Sequence, residues 1–127
     1  MLDLERVIFA FFIILALTLN FGFFIGDIDN PDHHNVYELF AAIVVSLIAT
    51  VWKFGEQTQV GALLLATSLV ADLELIAAAL VWGYAAHIGA GVTPAVMASV
   101  VSLSGGALLA NLISVLLLML ETAMLRR

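Results

Sequence analysis

Apolar residues along this chain gather into four long blocks separated by short polar joins. Within the blocks neither a one-sided helical stripe nor a strand-like alternation stands out. The blocks run from about Leu4 to Ile25, Val36 to Phe54, Gln59 to His87 and Pro94 to Thr122. Each is close to or above the roughly 20 residues that a helix needs to cross a bilayer. The pattern therefore predicts an all-α, polytopic membrane protein: one four-helix transmembrane domain over residues 1–127. Thr93-Pro94 suits an N-cap followed by proline at the first helical position of the fourth block. Trp52 and Lys53 close the second block as an interfacial pair. The first block is read as a retained helix, because Asp3 and Glu5 outweigh Arg6 ahead of it and no small-residue cleavage site follows.

The basic residues orient the blocks. Arg6 flanks the first, Lys53 lies between the second and third, and Arg126 and Arg127 follow the fourth, whereas the Asp27–Tyr37 join carries no Lys or Arg. By the positive-inside rule both termini are expected in the cytoplasm and the Asp27–Tyr37 loop outside.

Composition strengthens the membrane assignment and removes other classes. The hydrophobic fraction is 64%, with 11% charged residues and a mean hydropathy of +1.17, far from soluble domains. A formal charge of −6 with four basic residues leaves no basic face for nucleic acid or for anionic lipid. Cysteine is absent, which excludes thiolate chemistry and disulfides. No nucleophile elbow, P-loop, HExxH or dinucleotide turn occurs, so the chain is not expected to be an enzyme.

The most informative polar feature is the pair Asp72 and Glu74 in the middle of the third block. One acidic side chain at that depth costs about 2.5–3.5 kcal/mol. Two would cost roughly 5–7 kcal/mol if both were ionised and faced lipid. Protons, cations, hydrogen bonds or water must offset this. Two residues along a helix is about 200° of rotation, so the two carboxylates occupy different faces. Asp72 shares its stripe with Ser68, while Glu74 shares the other with Thr67 and Ala71, so Ser68 and Thr67 are expected to line the ion pathway with the carboxylates. One carboxylate is expected to line an ion pathway and the other to face helices of its own subunit. The alternative is purely structural: both protonated and hydrogen bonded to Asn20, Ser46, Thr50, Ser104 or Asn111.

The Gly26–Glu38 segment concentrates Asp27, Asp29, Asp32, Glu38, His33 and His34. Oxygen ligands suit calcium and neighbouring imidazoles suit zinc or nickel. An EF-hand fails, because Pro31 occupies the third ligand position. A solvated acidic turn broken at Asn30-Pro31 competes with an outer vestibule that gathers cations. Ser102, Gly106 and Ala110 form a small-xxx-small series that serves close packing within the bundle or between copies. Asn20 and Asn111 read as helix-to-helix hydrogen bonds.

The segments FGFFIGDIDNPDHHNVYELFAAI and LLLATSLVADLELIAAALVW carry a resemblance. They resemble a family of small four-helix bacterial inner-membrane proteins defined only as a domain of unknown function. The resemblance implies a multi-pass protein of the bacterial inner membrane and supplies no reaction, substrate or site residue. Asp27 and Asp29 stand where four-helix calcium-release channels hold an acidic ring, which is architectural analogy alone.

These readings lead to a homo-oligomeric cation channel, calcium favoured, with the acidic loop as vestibule and Asp72 or Glu74 as an intramembrane ring. A proton-coupled transporter and a non-conducting subunit of a larger transport protein are the alternatives. A bound cation, calcium first, is the one cofactor expected. Because the chain has no native cysteine, its orientation is directly measurable. Asp29→Cys should react with an impermeant maleimide from the outer side of intact cells or spheroplasts, and Gln59→Cys only after permeabilisation; the reverse pattern inverts the topology.

Overall fold

The computed structural model describes residues 4–54 and 58–125. They form α1 (Leu4–Phe24), α2 (Val36–Lys53), α3 (Gln59–His87) and α4 (Pro94–Leu125), with a short 3-10 turn at Pro31–His33 in the first connection. All four helices are long and apolar enough to cross a membrane, so this is a multi-pass membrane protein. The observed ends lie within a residue of the expected ones except in α4, which continues past Thr122 to Leu125. Arg126 and Arg127, used above for orientation, lie outside the described residues.

Local chemistry explains the boundaries. The Asn35 side chain accepts the Tyr37 N–H at 2.8 Å to start α2, and Thr58 accepts the Gly61 N–H at 2.9 Å to start α3. Thr93 does the same for α4, accepting from Val96 N–H at 3.2 Å ahead of Pro94. The 3-10 turn, which the sequence pattern did not announce, starts on Asn30, whose side chain accepts from Asp32 N–H. After α3 the chain reverses at Gly91, whose φ of +102° suits glycine and whose N–H reaches back to the Ala85 carbonyl.

The helices run up and down in a square bundle: α1 beside α2, α2 beside α3, α3 beside α4, and α4 back against α1. Side chains on the outside are apolar, including Phe11, Val44, Leu73, Leu80, Leu109 and Met119. That inversion of the soluble pattern fits acyl chains as the surrounding solvent. The interior holds two apolar clusters. Phe23, Leu39, Leu75, Met97 and Val100 fill the end that carries the Asp27–Tyr37 loop. Phe9, Ile13, Leu64 and Leu118 fill the other end. There Lys53 is buried rather than splayed to the interface, its Nζ lying 4.6 Å from the Phe9 ring centre.

Buried polar residues come from all four helices: Asn20, Ser46, Thr50, Ser68, Asp72, Ser104, Asn111 and Ser114. Asn20 ties α1 to α4. In the amide orientation that satisfies its neighbours it donates to the Ser104 carbonyl at 3.0 Å. It also accepts from the Leu108 N–H at 3.0 Å and from Asn111 Nδ2 at 3.2 Å. Ser104 O and Leu108 N are four residues apart, the two groups that a regular helix pairs with each other. Asn20 therefore reads the ladder of α4 itself. Asn20→Ala removes three bonds at once and is expected to destabilise the bundle by about 1–3 kcal/mol. Unfolding by denaturing detergent checks this, with Asn20→Gln and Asn111→Ala as companions.

Candidate functional site

Asp72 lies near the centre of the 29-residue α3 and is 5% exposed. Its carboxyl faces α2, where Ser46 Oγ is 2.6 Å from Oδ1 and Thr50 Oγ1 is 2.5 Å from Oδ2. Ser46 and Thr50 are four residues apart, so both hydroxyls fall on one face of α2 and grip one carboxyl between them. Among the described residues no Lys or Arg forms an ion pair with it. The group is held by neutral donors alone.

Counting protons sharpens the picture. Thr50 Oγ1 is also 2.9 Å from the Ser46 carbonyl, yet a hydroxyl has one proton to give. If Thr50 donates to that carbonyl, the contact with Asp72 requires the proton to sit on the carboxyl. If Asp72 is ionised, Thr50 turns its proton to the carboxylate and leaves the carbonyl. The arrangement thus accommodates both states of Asp72 by rotating one hydroxyl, with no movement of a helix.

Ser68 sits one turn before Asp72 on the same stripe of α3 and is fully buried. Its Oγ has no hydrogen-bond partner among the described residues. Other hydroxyls on these helices satisfy themselves against a carbonyl one turn back, as Thr18, Thr67, Ser99, Ser104 and Thr122 do. Ser68 does not. Asn111 Oδ1 is the second buried acceptor without a partner, in the α1–α4 seam.

Glu74, half-buried, turns to the opposite neighbour. Its carboxyl lies directly over Gly106 of α4, so closely that a Cβ there would fall within it. Gly105 beside it makes room for the Phe24 ring of α1. Thr67 bonds Ser114 of α4 at 2.5 Å. The expected separation of Asp72 and Glu74 onto different faces is seen, but neither points out of the bundle. Asp72 serves the α2–α3 seam and Glu74 the α3–α4 seam. A square bundle gives α3 a neighbour on two sides, so a 200° rotation still lands inside the subunit. Of the small-residue series, Ser102 is exposed, Gly106 receives Glu74 and Ala110 is buried. This part of the series packs intramolecularly.

The loop residues divide. Asp27, Asp29 and Asp32 are exposed, whereas Glu38 lies over Gly22 of α1 in the same manner as Glu74 over Gly106. His34 is buried, with Nδ1 2.6 Å from the Phe23 carbonyl and Nε2 2.7 Å from the Asp27 carbonyl. Both ring nitrogens are engaged with the main chain, so His34 fastens the loop to the end of α1. His33 accepts the Asp27 N–H on Nδ1 at 2.9 Å. The two imidazoles do not converge, and among the described residues no three His, Cys, Asp or Glu side chains group to hold a metal. Adjacent histidines gave no sequence signal for this division of labour.

Residues 33–122 match the model of DUF6394, a family of unknown function. The chain belongs to this family. The match takes in α2, α3 and nearly all of α4, and with them Asp72, its two hydroxyl partners, Ser68 and Glu74. No curated protein and no solved structure matches the chain.

The Glu74–Gly106 contact sets up a double-mutant comparison. Gly106→Ala alone is expected to change thermal stability by less than about 1 kcal/mol, because the Glu74 carboxyl at the end of its flexible side chain moves aside and the gain in helix propensity offsets the lost contact. In a Glu74→Ala background the same substitution should stabilise by up to about 1 kcal/mol, since only the propensity gain remains. Thermal unfolding of the four proteins in detergent reads the difference.

Proposed function

We propose that the protein carries cations across the membrane within a single four-helix bundle, with Asp72 as the carboxyl that binds a cation in exchange for a proton. The observation that carries this reading is the two-state arrangement around Asp72. A carboxyl at mid-membrane, without a cationic partner among the described residues, is held by a hydroxyl that can accept from its protonated form or turn its own proton to the ionised form. Intramembrane ionisable groups of this kind mark ion and proton pathways. A purely structural polar tie needs no second proton state.

The oligomeric channel expected from the sequence draws less support. Its carboxylate ring would need Asp72 or Glu74 to face a symmetry axis, and both turn toward helices of their own bundle. Calcium is likewise less well suited, since a single buried carboxylate balances one positive charge. The exposed Asp27, Asp29 and Asp32 keep a role as a local reservoir of cations near the loop end. The bacterial inner membrane, with both termini cytoplasmic, is the setting we assign to this activity.

Liposomes containing purified protein and an internal pH dye provide the test. An imposed alkali-cation gradient should drive counter-movement of protons. Asp72→Asn should reduce this to the level of empty liposomes, and Glu74→Gln should leave it largely intact. If well-folded wild-type protein moves neither cations nor protons at any pH, the transport reading fails and an accessory role within a larger transport protein takes its place.

A further inference from the structure

We infer that His34 is held as an imidazolium and acts as a proton-dependent latch: protonated, it fastens the first connection to the end of α1, and neutral, it releases it. The inference goes beyond the transport reading and does not depend on it.

The proton count around His34 is decisive. The ring is 4% exposed, with Nδ1 2.6 Å from the Phe23 carbonyl and Nε2 2.7 Å from the Asp27 carbonyl. Gly26, at a φ of +111°, turns the chain between those two residues. A carbonyl oxygen only accepts, so each contact is a hydrogen bond only when the ring nitrogen bears a proton. A neutral imidazole has one N–H in either tautomer, whereas the imidazolium has two. In the neutral ring one nitrogen lone pair would confront a carbonyl lone pair in a buried site, and one of the two ties would be lost. The geometry is complete for the charged ring alone.

The surroundings suit that charge. Phe23 lies in the last turn of α1, where a helix leaves carbonyls without intrahelical partners and presents the negative end of its dipole. The Phe23 ring centre is 5.5 Å from that of the imidazole, within cation–π range. Phe23 also packs on Trp82 of α3, ring centres 5.9 Å apart, which carries the latch into the bundle. The other titratable groups at this end are Asp27, Asp29, Asp32 and His33 on the loop, Glu38 at the start of α2, and Tyr84 and His87 at the end of α3. The facing ends of α1 and α4 contribute none.

His33 has the opposite requirement. Its Nδ1 accepts the Asp27 N–H at 2.9 Å, which needs that nitrogen unprotonated. The adjacent rings thus hold the two sides of Asp27, His34 through its carbonyl and His33 through its N–H. The loop is fastened when the pair carries one extra proton.

Two measurements on the purified full chain in detergent, from about pH 5 to about pH 9, span the histidine range. Ring-nitrogen NMR counts the protons on each of the three histidines, with His33→Gln and His87→Gln assigning signals by elimination. Hydrogen exchange of the Asp27–Asn35 main-chain amides, corrected for the intrinsic effect of pH, reads loop protection. Bonds that need the ring proton are present below the titration of His34 and lost above it. Protection should therefore fall by about tenfold as pH rises and the ring gives up one N–H, the effect of losing a charge-assisted bond. His34→Gln should begin less protected and show no such fall, while His87→Gln should keep the wild-type profile. A neutral His34 ring in a loop that stays protected would overturn the latch, as would a wild-type profile in His34→Gln. If His34→Gln does not fold, the wild-type chain still decides, because ring protonation and loop protection that change at different pH values also overturn it.

Discussion

The attachment of α2 to α3 through Asp72 is the interaction on which the interior of this bundle depends. In lipid there is no hydrophobic drive between apolar helices, and association rests on close packing and on bonds between side chains. Ser46, Thr50 and Asp72 supply such a bond where a wrong register would leave a carboxyl against hydrocarbon. Asn20 does the same between α1 and α4 by engaging main-chain groups of α4 together with Asn111. Two polar ties on opposite seams fix the relative heights of helices whose outer faces are interchangeable leucines, valines and phenylalanines.

Glycine completes this scheme by giving two carboxyls a helix surface without a Cβ to lie against. Glu38 on Gly22 and Glu74 on Gly106 use the same device on two seams, an acidic side chain laid across a helix where no Cβ intervenes. In each case the bare surface lets a long side chain stay partly covered by protein rather than by lipid. The acidic residues of the membrane region are thus distributed among seams rather than gathered into one wet cavity.

Hydropathy made the four helices legible, and the capping residues Asn35, Thr58 and Thr93 fixed three of their starts. The partners of Asp72 were legible as a short set, since few hydroxyls lie at its depth and Ser46 and Thr50 are among them. Their selection over Asn20, Ser104 and Asn111 was not, because helix rotation is set by packing against neighbours rather than by any signal within one uniformly apolar helix. For the same reason the two stripes of α3 gave no hint that both turn inward. His34 was hidden differently: nothing distinguishes it from His33 except the carbonyls that the folded loop brings to its ring. The unpartnered Ser68 hydroxyl belongs only to three-dimensional structure.

The helices differ greatly in length. At 1.5 Å per residue, the 18 residues of α2 reach about 27 Å and the 29 of α3 about 44 Å. One is slightly shorter than a typical hydrocarbon layer of about 30 Å and the other is far longer. A thicker bilayer stretches the fit of α2, while a thinner one tilts α3 further, so the two respond differently to the same membrane. Their shared bonds at Asp72 stand at the pivot of that difference. The thickness of the surrounding lipid therefore acts as a mechanical load on the carboxyl site, transmitted by the mismatch between its two supporting helices.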